Sequence, residues 1–160
     1  MSYKSGIKLI NVIVAVAMLF VYVIYASGSG APDQNDLREW ALTVLKFIAA
    51  AVVATIVMQI LYHIVLSAKL AVKEGKDDNG IEREIASLAK EDEMDKQIGM
   101  RSERAGYICV GIGFLVTLLA LVFDASAVTA LNIMFGAFVI GGIIEGSISV
   151  YLYERGVRNG

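Results

Sequence analysis

Glu145 is a carboxylate inside one long apolar run, and His63 is an imidazole inside another. Ionisable groups in such runs cost about 2.5–3.5 kcal/mol to place in a membrane, which makes each a candidate site. A desolvated carboxylate titrates higher than usual and histidine titrates near neutral pH, so a Glu145–His63 pair could move a proton or bind a cation. Asn11, Gln59 and Tyr107 stand at similar points along their own runs. At 1.5 Å per helical residue, Glu145 lies about 27 Å beyond Ala127, and Gln59 and His63 lie about 28–35 Å beyond Trp40. Asn11, Gln59, His63, Tyr107 and Glu145 are therefore expected to form one polar layer in the inner third of a helical bundle. Two plainer readings compete. These groups could make interhelical hydrogen bonds that set register, at about 0.6–2 kcal/mol each, or they could reach the headgroups.

Facing follows from helical spacing. Thr55, Gln59 and His63 recur every four residues and share a stripe. Gly142, Glu145, Gly146 and Ser149 share another. Gly142 and Gly146 form a Gly-x-x-x-Gly, which lets backbones approach closely, so Gly142, Gly146 and Ser149 are expected at a helix–helix contact, with Glu145 pointing into it.

Other chemistry is excluded by what the chain lacks. One histidine and one cysteine are too few for a Cys/His zinc cluster or a disulfide framework. There is no Gly-rich phosphate loop and no His-Glu-x-x-His. No enzyme and no cofactor are expected. Asp92-Glu93-Met94-Asp95 is the one dense acidic motif of interest. Asp92 can cap a helix that starts there, with Asp95 at the N3 position in a variant of the capping box. A divalent cation site is the alternative, but two carboxylates without a Gly-containing loop resemble no calcium loop.

The elements that carry these residues are four apolar runs, at residues 7–26, 40–66, 105–123 and 128–153. The chain of 160 residues is 57% hydrophobic and 19% charged, with mean hydropathy +0.65. Soluble domains are nearer ~45–50% apolar and ~25% charged. A hydrocarbon core of about 30 Å needs ~20 apolar residues in a helix. Backbone groups in lipid must be paired internally, so the runs are predicted to be transmembrane helices of an all-α integral membrane protein. The first run exceeds the ~7–15 apolar residues of a signal peptide and is expected to be a retained span. A net charge of −2 offers no field for nucleic acid.

Twelve basic residues flank the spans on one side and only Arg38 on the other. The positive-inside rule then puts both termini and the 69–104 loop in the cytoplasm, with the protein multi-pass in a cell (inner) membrane. That loop holds ten acidic and eight basic residues, so it is no polybasic lipid switch. Ile81, Ile85 and Leu88 share one helical face, while Met94 and Ile98 share a face about 240° away. The phase jump predicts a cytoplasmic amphipathic helical hairpin jointed near Glu91, lying on the membrane surface or on a partner.

A cytoplasmic Asp-Glu-x-Asp, a basic turn into a third span, and a fourth span closing with Tyr-x-Arg-Gly are the features of residues 88–156, at Asp92–Asp95 and Tyr153–Gly156. This half of the chain resembles an uncharacterised prokaryotic family of small four-span membrane proteins. Met94 stands where that family often has arginine. The resemblance implies a four-span bacterial or archaeal inner-membrane protein and assigns no activity.

Taken together, one four-helix membrane domain over residues 1–160 is expected, and a homo-oligomer, from the small residues on the fourth span. The leading functional expectation is a non-catalytic scaffold, regulator or accessory subunit that meets a protein partner through its cytoplasmic loop. The alternative is a small channel or a proton- or cation-coupled transporter that uses Glu145 and His63.

Overall fold

A computed structural model describes residues 3–74, 80, 87, 90 and 92–155. Within these lie four helices: α1 (Tyr3–Ser27), α2 (Leu37–Glu74), α3 (Glu93–Val122) and α4 (Ala127–Arg155). All four are long and apolar enough to cross a membrane. α1, α2 and α4 each contain an expected span, α3 covers the third up to Val122, and α2 and α3 begin or end well beyond theirs. At 1.5 Å per residue the 38 residues of α2 reach about 57 Å, far beyond the roughly 30 Å a span requires. The first arm of the expected hairpin, around Ile81 to Leu88, falls almost wholly outside the described residues. The second arm is the start of α3, which continues without a break into the third apolar run.

Neighbouring helices alternate in direction. Gly6 and Asn11 of α1 meet Tyr62 and Gln59 of α2, and Gly106 and Gly113 of α3 meet Gly141 and Ala137 of α4. Both described chain ends therefore share one end of the molecule, here the terminal end. The links α1–α2 and α3–α4 lie at the other, the turn end. α4 is the central element: it packs along α3 most extensively, then against α1, and only slightly against α2. α1 packs on α2, while the backbones of α2 and α3 do not approach each other among the described residues. The bundle is thus open between α2 and α3.

The turn between α3 and α4 shows why these two helices pair so closely. Asp124 sits at φ 61, a left-handed conformation that aspartate tolerates better than most side chains. The Ala125 N–H donates to Ala120 O at 3.0 Å and the Asp124 N–H to Leu121 O at 3.1 Å, which closes α3 with a Schellman motif. The Ser126 hydroxyl then accepts from the Thr129 N–H at 3.1 Å and starts α4. So short a link holds the two helices side by side.

Their seam is built of small residues. A Cβ on Gly113 would fall 2.1 Å from Ala137 Cβ, and one on Gly106 would fall 3.2 Å from Gly141 O. With Ser102 and Thr117, both buried, these give α3 a row of small side chains at spacings of four and seven. The seam is held by close backbone contact and dispersion. Only 11% of the residues in the most apolar stretches of α1, α2 and α3 are buried.

Two clusters close the ends. At the turn end Tyr22, Trp40, Val44 and Val128 are buried, with Phe47 and Phe135 packed against them. The Tyr22 ring meets Phe47 and Phe135 edge-on at 5.0 and 4.6 Å between centroids. At the terminal end the most completely buried side chains in the structure are Ile98, Ser5, Ser102 and Ser149. Ser5, Ile98 and Ser102 lie just before the apolar runs of their helices, and Ser149 lies near the end of the fourth.

Candidate functional site

The five polar residues expected in one layer lie toward the terminal end, but not as one layer. Asn11 Oδ1 accepts a hydrogen bond from Gln59 Nε2 at 3.0 Å, between α1 and α2. His63 Nε2 lies 3.1 Å from the Tyr3 hydroxyl on the same pair of helices. The Tyr62 ring covers Gly6, where any Cβ would fall 2.2 Å from the phenol oxygen. Glu145 instead turns to the other side of α1, with Oε1 3.7 Å from Lys8 Nζ. Each of these two side chains is about one-third exposed, so the pair is a loose one.

Glu145 and His63 thus have different partners on opposite faces of α1, and no contact between them exists among the described residues. Tyr107 joins neither set: it is 75% exposed on the outer face of α3. The single expected layer is instead two ladders that share α1. The reason is the openness of the bundle. With α2 and α3 apart among the described residues, the five side chains do not face one common interior.

The small residues of α4 are also distributed differently from the expectation. Gly146 does make a close approach, to α1, where a Cβ would fall 2.5 Å from Val12 Cγ2. Gly142 stands on the open side, with nothing within 4 Å of where its Cβ would be. The second close approach belongs to Gly141, which faces Gly106 across the α3–α4 seam. Ser149 is fully buried. The stripe that suggested self-association is therefore largely occupied within the chain.

The best-built polar site is the acidic motif. Asp92 is the N-cap of α3, in an extended backbone conformation. Its carboxylate accepts from the Asp95 N–H at 2.8 Å, and the Asp95 carboxylate accepts from the Asp92 N–H at 2.8 Å, a reciprocal capping box. Asp95 also receives the Lys4 ammonium from α1 in an ion pair, and the hydroxyl of Tyr153 near the end of α4. Lys4 donates further to the Lys90 carbonyl. One buried carboxylate thus joins the start of α1, the start of α3 and the end of α4. Glu93 takes no part in this knot. It is exposed and lies 3.7 Å from Lys96 one turn along.

Asp95 lies about 15 Å, or ten residues, before the third apolar run. Burial pushes its carboxyl up, but the hydrogen bonds from Lys4, the Asp92 N–H and Tyr153, with the Lys4 charge, outweigh it. The net result is a carboxyl held below its ordinary 3.8. A depressed folded-state value stabilises the fold above the ordinary value, and that contribution disappears as pH falls from near 3.8 through the folded value. The unfolding midpoint of the detergent-solubilised chain is therefore expected to fall below pH 4, and Asp95→Asn is expected to flatten that dependence. An unchanged acid limb in the variant would assign the effect to other carboxylates.

Sequence reasoning placed Asp92 and Asp95 in a cap but missed Lys4 and Tyr153 as partners. Lys4 is 91 residues from Asp95, and no local pattern connects them. The available signal was the parity of the spans, which puts the start of α1 and the end of α4 on one side. Among the described residues no group of three or more His, Cys, Asp or Glu side chains could hold a metal ion. No family model, curated protein or solved structure matches this chain.

Proposed function

We propose that this protein is a non-catalytic scaffold or accessory subunit of a prokaryotic inner membrane, with both termini and the 69–104 segment in the cytoplasm. The observation that carries this reading is the Lys4–Asp95–Tyr153 knot. It ties the first turn of α3 to α1 and α4, and the burial of Ile98 and Ser102 holds the next two turns, so the segment between Asp92 and the membrane is a rigid post. Met94 and Met100 are exposed on that post, among Arg101, Glu103 and Arg104. Flexible thioethers beside mixed charges suit a protein surface better than a lipid one. Transport through a Glu145–His63 relay is less well supported, because these two side chains serve separate ladders.

The test separates the two readings. In proteoliposomes the chain is expected to give no proton or cation flux above that of empty vesicles. In cells, a photo-crosslinking residue at Met100 is expected to trap one defined protein, and Arg101→Glu is expected to abolish the product, while a crosslinker at Gly111 traps none. Flux that Glu145→Gln and His63→Ala both abolish would sink the scaffold reading.

A further inference from the structure

A cavity of about 440 Å³ opens at the turn end, between α1, α4 and the α1–α2 link. Its volume falls within the roughly 300–1,000 Å³ typical of small-molecule sites. The inner wall is apolar and aromatic, formed by Tyr22, Trp40 and Val128, each only 5% exposed. The end toward the link is polar but uncharged, lined by Gln34, Ser126, Thr129 and Asn132. Toward the middle of the bundle it is bordered by Leu19, Val23 and Gly136. Val23 is 55% exposed, so the cavity opens sideways onto the apolar surface of the helices.

Its walls are held rigidly. The Tyr22 hydroxyl donates to Asn132 Oδ1, Asn132 Nδ2 donates to Val128 O at 2.8 Å, and Trp40 Nε1 donates to Asp33 O at 3.1 Å. One N–H of Asn132 remains beyond these bonds, Gln34 can both donate and accept, and the Thr129 hydroxyl, which shares one hydrogen bond with the Ser126 hydroxyl at 3.0 Å, keeps further capacity. Among the described residues, no Asp, Glu, Lys or Arg lines the cavity. The nearby links carry Asp33, Asp36, Glu39 and Asp124 against Arg38, an acidic surround that repels anions. A cation would lose its water with no carboxylate in the lining to replace it.

We propose that this cavity is a binding site for a neutral amphiphile: an uncharged, hydroxyl-bearing headgroup at the Gln34–Thr129 end, with one hydrocarbon chain leaving between Val23 and Gly136 into the bilayer. Groups that both donate and accept match hydroxyls, and the lateral opening matches a tail. The site is at the opposite end of the bundle from the post proposed to meet a protein partner and does not depend on it.

Trp40 is the single tryptophan of the chain and lines the cavity, so its fluorescence reports occupancy. The experiment titrates the detergent-solubilised full chain with monoacylglycerol brominated in its acyl chain. Saturable quenching is expected. A Cβ on Gly136 meets nothing within 4 Å, so Gly136→Leu is expected to fold, to fill the cavity and to raise the half-quenching concentration by about tenfold or more. Gly111→Leu, on an equally open position of α3, is expected to leave it unchanged. Thr129→Val is expected to raise it several-fold without filling space. Brominated lysophosphatidylglycerol, the anionic counterpart, is expected to need about tenfold more. Quenching that rises without saturation, that is the same in Gly136→Leu and Thr129→Val as in the parent chain, or that the anionic lipid matches at equal concentration would overturn the proposal.

Discussion

Asp95→Ala is expected to lower the apparent unfolding midpoint of the detergent-solubilised protein by about 6–12 °C. The substitution removes three things at once: the ion pair with Lys4, the hydrogen bond from Tyr153, and half of the capping box. Taking one partner from a buried pair costs about 3–5 kcal/mol, and loss of a cap about 1 kcal/mol. Lys4 is partly exposed, with 21% of its side chain accessible, and can be rehydrated, which brings the total nearer 3 kcal/mol. For a chain of this size each kcal/mol moves the midpoint by about 2–4 °C. Asp95→Asn should cost less, because its amide oxygen can still accept the Asp92 N–H. The start of α1 should also loosen in Asp95→Ala, seen as faster tryptic cleavage after Lys4 in the native state. A midpoint within about 2 °C of the parent chain, with Lys4 still protected, would show that the knot is dispensable.

The second large effect is at the α3–α4 seam. Gly113→Ala would place two methyl carbons 2.1 Å apart, against Ala137. The Ala137 atom is fixed to its backbone and cannot swing aside, so the helices must part, at a cost of about 1–3 kcal/mol. Gly113→Leu should cost more and should break the seam. The specific expectation is rescue: Ala137→Gly combined with Gly113→Ala moves the methyl group across the interface, since a Cβ at position 113 lies an ordinary 3.4 Å from Ala137 Cα. The double variant should return to within about 1 kcal/mol of the parent chain, because the helix-propensity gain at 113 and the loss at 137 offset each other. Gly111→Leu, facing open space two residues away, should be silent. Additive damage in the double variant would mean that Gly113 and Ala137 do not pack as the structure has them.

Both predictions concern contacts that hold helices together without hydrophobic burial between them. In water an apolar face must find a partner; in lipid it need not. The exposed flanks of α2 and α3 are consistent with that, and the specific contacts are left to glycines, serines and a few polar pairs. The terminal end is different. There Ile98 is almost wholly enclosed, and Ser5, Ser102 and Ser149 are packed out of reach of solvent.

What was legible in the amino-acid order was whatever depends on neighbours along one helix. Continuous apolar runs of about 20 residues require helices, because no other backbone form hides its own polar groups in hydrocarbon. Asp92 and Asp95 are three apart, and that spacing alone sets up a reciprocal cap. Tertiary structure decided which face of each helix meets which neighbour. Glu145 and His63 stand at matching depths, yet rotation about the helix axes sends one to Lys8 and the other to Tyr3. Gly141 and Gly142 are adjacent glycines that sequence cannot rank, and about 100° of helical rotation puts one in the seam and the other in the open. Lys4 and Tyr153 became partners of Asp95 only when three helix ends met in space. Depth follows from counting residues, because helical rise is fixed; azimuth follows only from packing, because in lipid no hydrophobic gradient turns a helix toward its neighbours.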